Sequence, residues 1–201
     1  LNLFNNIKDN IFNEIYQFEK NTGYKIEKLW IDNLALHTQI VKKKSALNYH
    51  HGRLLYSALR SYISKNKGQT INILETGTAR GFSSICMSKA LIDSNCYGKI
   101  YTIDIVPNNE KIYWNCIDDW EGKKTRLQLL NNWRDEIENV VFLTGDCNDV
   151  LRNFSLSRIN FAFLDAQHNY LNIKNEFNYV SNRQSKGDII IFDDVNIDQF
   201  P

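Results

Sequence analysis

The chain has 201 residues, 43% hydrophobic and 12% aromatic, with 24 basic and 23 acidic side chains for a net charge of +1. That length and apolar content suffice for one sizeable core, and near-neutrality, with only the short Lys42-Lys43-Lys44 cluster, argues against nucleic acid as a partner. No apolar run reaches bilayer-spanning length, and Cys86, Cys96, Cys116 and Cys147 form neither Cys-x-x-Cys pairs nor His-rich clusters, so membrane insertion, zinc and a disulfide framework are all disfavoured and a reduced cytoplasmic setting is expected.

In chain order, Leu1 to Asn10 lacks the basic, apolar and small-residue succession of a secretory signal. Phe4, Ile7, Ile11, Ile15 and Phe18 share one helical face that Asn21-Thr22-Gly23 ends. Leu54, Leu55, Ala58, Leu59, Tyr62 and Ile63 make a second stripe, ended by Lys67-Gly68. Residues 1–66 therefore read as a helical extension or lid before a cofactor-binding domain over 67–201. Tyr49, His50 and His51 open the second helix where it would approach the cofactor helix, as substrate or cofactor contacts or as an exposed structural pair.

The most informative stretch is Ile71 to Ser84. Ile71, Ile73 and Leu74 read as a buried parallel strand, and Phe82, Ile85, Met87, Ala90 and Leu91 as the helix after it. Between them the turn reads Glu75-x-Gly77-x-x-x-Gly81, with the amides around Gly81 to Ser84 free to face an anionic group. A dinucleotide fold wants Gly-x-Gly-x-x-Gly, and the middle glycine is missing. The loop instead resembles the first motif of class I S-adenosylmethionine-dependent methyltransferases. That resemblance implies that Glu75, Gly77, Thr78, Gly81, Phe82 and Ser83 surround the methionine half of the cofactor, its ammonium near the acidic strand end.

Four further apolar runs follow. Ile100 to Asp104 ends in an acid roughly thirty residues beyond Glu75, which makes Asp104 the candidate for binding a ribose diol. Pro107 to Asn139 is longer than one crossover helix needs; Trp114, Ile117 and Trp120, then Leu127, Leu130 and Trp133, suggest two helices separated near Gly122. Such an insertion would shape substrate access, make a homo-oligomer contact, or simply pack on the sheet. Val140 to Leu143 is the third strand, and by analogy with the resembling family Asp146 lies beside the adenine. Asn160 to Asp165 and Asp188 to Asp194 complete the set. The acids at these strand ends would share the ligand-binding edge of an open parallel sheet, although each can equally cap the helix that follows. The fold expected is α/β: a Rossmann-like three-layer sandwich with a mainly parallel sheet in the order 3-2-1-4-5 and N-terminal helices.

Asp165-Ala166-Gln167-His168-Asn169-Tyr170 is similar to the Asp-Gly-x-His-x-Tyr signature of a methyltransferase branch that includes sugar and antibiotic O-methyltransferases and relatives of cephalosporin-modifying enzymes, with Ala166 in place of the usual glycine. This resemblance, with Phe192-Asp193-Asp194-Val195, covers nearly everything from Ile71 onward. It implies S-adenosylmethionine as cofactor, also contacted by Asp165, a sugar or natural-product-like small molecule as methyl acceptor, and magnesium held by Asp165, Asp193 and Asp194. His168, titrating near neutrality, is the candidate general base, with Asp165 as its catalytic companion. The methyltransferase sheet normally continues past its fifth strand; this chain lacks an initial methionine and stops at Pro201, so a fragment without the C-terminal strands is expected. A nicotinamide-dependent oxidoreductase and a noncatalytic ligand-binding module remain alternatives on the same sheet.

Overall fold

A computed structural model describes residues 1–44, 46–167 and 169–193. Five strands, β1 (Ile71–Thr76), β2 (Gly98–Asp104), β3 (Val140–Thr144), β4 (Phe161–Leu164) and β5 (Ile189–Phe192), form one parallel sheet in the order β3-β2-β1-β4-β5. β1 and β4 are almost wholly buried, as strands covered on both faces must be. Thr76 lies opposite both Ile103 and Leu164, so β1, β2 and β4 finish together at one edge.

Side chains alternate between the two faces of a strand, and here they feed two cores. Ile71, Ile73, Ile100, Phe161 and Phe163 join one apolar cluster with the helices of the first half of the chain. These are α1 (Asn2–Ile7), α2 (Asn13–Thr22), α3 (Lys28–Thr38), α4 (His50–Lys65) and α5 (Phe82–Asp93). Leu74, Ile103, Ala162 and Leu164 point to the opposite face, with Leu151 and Val180 from the later helices α8 (Cys147–Asn153) and α9 (Tyr170–Ser181). Helix, sheet and helix thus form three layers. Gly52 lets α4 press on α5: a Cβ there would stand 2.6 Å from the Phe82 ring and 2.8 Å from Cys86 Sγ.

The N-terminal stripe does not make one helix. Lys8 to Phe12 breaks it, because Asp9 and Asn10 favour turns over helix interior and Phe12 is extended, with its ring 3.9 Å from that of His50. Helix α3 carries an unread stripe, Ile31, Leu34, Ala35 and Thr38, all buried. The 107–139 insertion holds no pair of long helices either. It consists of a 3-10 turn at Ile117–Glu121, α6 (Arg126–Leu129), a second 3-10 turn at Asn131–Trp133 and α7 (Arg134–Ile137). Ile112 and Lys124 bridge antiparallel around the first of these, with Gly122 at φ +97°, a conformation that reverses the chain where a helix would have continued. Trp114 and Trp133 are buried, whereas Trp120 is exposed.

Beneath the α1–α2 connection, polar side chains pair in a buried layer. Arg53 grips Glu19 through Nε (2.8 Å) and Nη2 (2.7 Å), and its Nη1 donates to Nδ1 of His50 at 3.3 Å. Tyr49 Oη donates to Asp32 at 2.8 Å. Burial first, and the Arg53 charge second, push His50 down to about 4, so the folded chain holds it neutral. Between its ordinary pKa near 6.5 and about 4, the unfolded chain therefore binds a proton that the folded chain refuses; this contribution is intact above pH 6.5 and is lost on acidification through that window. Urea unfolding across pH 4–7 should show a fall of up to about 3 kcal/mol from this group. His50→Gln, which keeps an acceptor for Arg53, should flatten it, and an unchanged slope in the variant would exclude His50 as the cause.

Candidate active site

Backbone hydrogen bonds join the ends of β1, β2 and β4. Gly77 N–H donates to Ile103 O and Asp165 N–H to Thr76 O, each at 2.9 Å. Gly77 has φ +89°, and a Cβ on it would lie 2.0 Å from Asp165 O. Only glycine meets both demands. Ala79 follows in a left-handed conformation at φ +44°, which a residue with a Cβ adopts at a cost of order 1–2 kcal/mol. Its N–H donates to Asp104 Oδ2 at 2.6 Å, and Val106 N–H donates to Asp104 Oδ1 at 2.7 Å. The loop then turns through Gly81 at φ +91° into α5.

Over this edge lies a cavity of about 260 Å³, at the point between β1 and β4 where the strand order reverses. Gly77, Asp104, Asp146 and Asp165, all read from the sequence as site residues, line it. Asp146 also caps α8, its Oδ1 accepting from Asn148 N–H at 2.9 Å and Asp149 N–H at 3.4 Å, so the helix-cap role is realised along with the cavity position.

Glu75, Thr78, Gly81, Phe82 and Ser83 do not line the cavity; they support it from beneath. The Glu75 carboxylate is fully buried and receives hydrogen bonds from Ser83 Oγ on one oxygen and Ser84 Oγ on the other. Burial raises its pKa, against the two serines and Thr102, which favour the anion. Thr78 Oγ1 lies 2.6 Å from Thr102 Oγ1. Phe82 is packed under α4, its ring 4.9 Å from that of His51.

Two contributions went unread in the sequence. Glu176 lies on the cavity wall, 2% exposed, and accepts from Thr76 Oγ1 at 2.7 Å. The clue is an acid at the buried spacing of Ile173 and Val180. Asn148, Asn172 and Gln167 form a carboxamide chain along the same wall, with Asn148 Nδ2 donating to Asn172 Oδ1 at 2.9 Å and Asn172 Nδ2 donating to Gln167 Oε1. Cys147 completes the wall; burial, then the charges of Glu176, Asp146 and Asp104, push its thiol up to about 12.

Asp165 and Asp193 follow β4 and β5, which pair in register up to Leu164 and Phe192, and Asp193 N–H donates to Leu164 O at 3.1 Å. His168 and Asp194 lie outside the described residues. Among the described residues no group of three or more His, Cys, Asp or Glu side chains is placed to hold a metal ion. Among them, too, no helix is long and apolar enough to cross a membrane.

A doubly wound parallel sheet with a glycine-turned loop and a ligand cavity at its switch point defines a Rossmann-like cofactor-binding fold. A family model described as a methyltransferase domain matches residues 74–195, more than half of the chain, and the chain belongs to that family, within the class I S-adenosylmethionine-dependent methyltransferases. Its fold is shared with the O-methyltransferase NovP (TM-score 0.58, 16% identity, 83% of each chain covered). It is also shared with cofactor-bound Rv0187 from MTB (TM-score 0.54, 18% identity, 81% of this chain and 60% of that one). The calicheamicin methyltransferase CalS11 superposes with a TM-score of 0.52 at 16% identity, over 90% of this chain and 77% of its own. The chain thus spans less than two thirds of Rv0187. No curated protein matches its sequence.

Gly77→Ala adds a side chain where neither backbone conformation nor space admits one. It should cost 2 kcal/mol or more, at the upper end of ordinary substitutions. Urea unfolding of parent and variant measures this, and a loss below about 0.5 kcal/mol would mean that the β1 and β4 ends are not held at this separation.

Proposed function

We propose that this chain transfers a methyl group from S-adenosylmethionine to an oxygen of a sugar or other small natural-product-like acceptor. The observation that carries the cofactor reading is the charge of the cavity wall. Asp104, Asp146, Asp165 and Glu176 line it, and no Lys or Arg does so among the described residues. A dinucleotide would bring a doubly charged pyrophosphate to these four acids, whereas S-adenosylmethionine brings a sulfonium and an ammonium against a single carboxylate. The Ala79 amide, which would have to serve the pyrophosphate, is engaged by Asp104.

When bound, S-adenosylmethionine supplies an electrophilic methyl carbon on a sulfonium sulfur. The chain's own tasks are then to hold the cofactor, to align the acceptor oxygen and to take its proton. Each Asp104 oxygen retains acceptor capacity beyond its one backbone amide, which suits a vicinal ribose diol. Asp146 would face the adenine, and Asp165, at the end of β4, would contact the cofactor and act on the acceptor side with His168. His168 is proposed as the base. A divalent ion would draw on Asp165 and Asp193, two carboxylates of the hard-oxygen type magnesium prefers, together with Asp194. The acceptor class is supported by relatives of the same fold: NovP is described as an O-methyltransferase, and CalS11 as a TDP-rhamnose 3′-O-methyltransferase.

Calorimetric titration tests the cofactor directly. S-adenosylmethionine should bind saturably and NAD should not, and Asp104→Ala should weaken binding by on the order of 100-fold through loss of two hydrogen bonds to a charged acceptor. Binding of NAD in its place would overturn the proposal. Acceptor screening with sugar nucleotides, with and without EDTA, then reads the metal requirement.

A further inference from the structure

Arg126 is 1% exposed, yet among the described residues no carboxylate forms an ion pair with it. Its guanidinium stands over the rings of Trp114 and Phe142, 5.5 and 5.7 Å from their centroids. Nε donates to Ala79 O at 2.9 Å and Nη2 to Val106 O at 3.2 Å. Nη1 has no hydrogen-bond partner among the described residues. Burying a cation in this way opposes folding unless its hydrogen bonds return something specific. Here they go to two carbonyls on two different loops, one after β1 and one after β2.

Those two residues are the ones whose amides hold Asp104. Ala79 and Val106 each turn their N–H to one Asp104 oxygen and their C=O to one arm of Arg126. We propose that Arg126 is a positioning residue of the cofactor site: its planar fork locks the Ala79 and Val106 peptides and thereby fixes the Asp104 carboxylate for the ribose hydroxyls. The inference rests on the cofactor reading above and adds a residue from the β2–β3 insertion that does not line the cavity.

Ala79 shows why a lock is needed. A left-handed alanine relaxes readily unless its surroundings over-determine it, and two hydrogen bonds, one at each end of the residue, do so. A lysine at 126 would keep a cation but lacks the fork that spans two acceptors. Arg126 therefore controls how well the site distinguishes a ribose from its deoxygenated counterpart. A merely structural arginine would affect the affinity for both ligands alike.

The test compares S-adenosylhomocysteine with its 2′,3′-dideoxy analogue by calorimetry on the parent chain, Arg126→Met, Arg126→Lys and Asp104→Asn. The parent should prefer the ribose ligand by on the order of 100-fold, and Asp104→Asn should reduce the preference to ~5-fold or less. Arg126→Met should do the same while its affinity for the dideoxy analogue stays within about 3-fold of the parent's. Arg126→Lys, which preserves the buried charge, should fall in between and decides the matter alone if the methionine variant does not fold. A preference that survives in a folded Arg126 variant overturns the inference and leaves the cofactor reading standing. A parent that binds the ribose ligand with no preference removes Asp104 from the ribose site and the role of Arg126 with it. A parent that binds neither ligand overturns the cofactor reading itself.

Discussion

Three strand ends meet within the space of a single missing side chain. The backbone of Gly77 passes so near Asp165 O that no Cβ fits, and the same turn is bonded to β2 through Ile103 and to β4 through Thr76. Because these contacts are made by peptide groups, they fix the loops independently of the side chains the loops carry. Asp104 and Asp165 emerge from this junction on either side of Gly77, and Ala79 is brought to Asp104 by the continuation of the same turn. A side chain at 77 would part β1 from β4 and scatter the acids that give the cavity its charge.

Strand parity divides what the junction carries. Ile71, Ile73 and Glu75 face the α4–α5 layer, and Leu74 and Thr76 face the α8–α9 layer. Glu75 accordingly ties the first turn of α5 to the sheet through Ser83 and Ser84, while Thr76 reaches Glu176 on α9. Glu75 and Glu176 thus do different work: one anchors the helix behind the loop, the other contributes negative potential to the cavity. The N-terminal helices belong to the same packing scheme. Gly52 and Phe82 interlock α4 with α5, so the first sixty-odd residues share one apolar cluster with the sheet.

Much of this was legible in the sequence because the information was local. An apolar run, an acid, two glycines and a helical stripe occur within Ile71 to Leu91, and the repetition of acid-ended runs ordered the remaining strands. The direction of Glu75 also follows from period two, since it shares parity with Ile71 and Ile73. Arg126 and Glu176 could not be placed in the same way: they reach the site from positions 47 and 100 residues beyond the groups they bond, and no pattern near them marks that encounter. The insertion misled for a related reason. Its tryptophans fall at helical spacing, but Trp114 spends its indole N–H on the Lys124 carbonyl, a contact that holds a reversed chain and not a helix.

Cys147 occupies the first turn of α8, where helix amides ordinarily make a thiol more acidic. Burial and the surrounding carboxylates win instead, pushing the thiol up to about 12, so it stays protonated at neutral pH. The chemical meaning follows from what the cavity is suited to hold. Sulfur anions are avid methyl acceptors, and one lodged against a sulfonium would consume the donor and alkylate the protein in a single irreversible event. Under the proposed function, burial and the acids that would draw a cationic donor would together keep this sulfur protonated, and the wall facing the alkylating agent would offer it no sulfur anion to methylate.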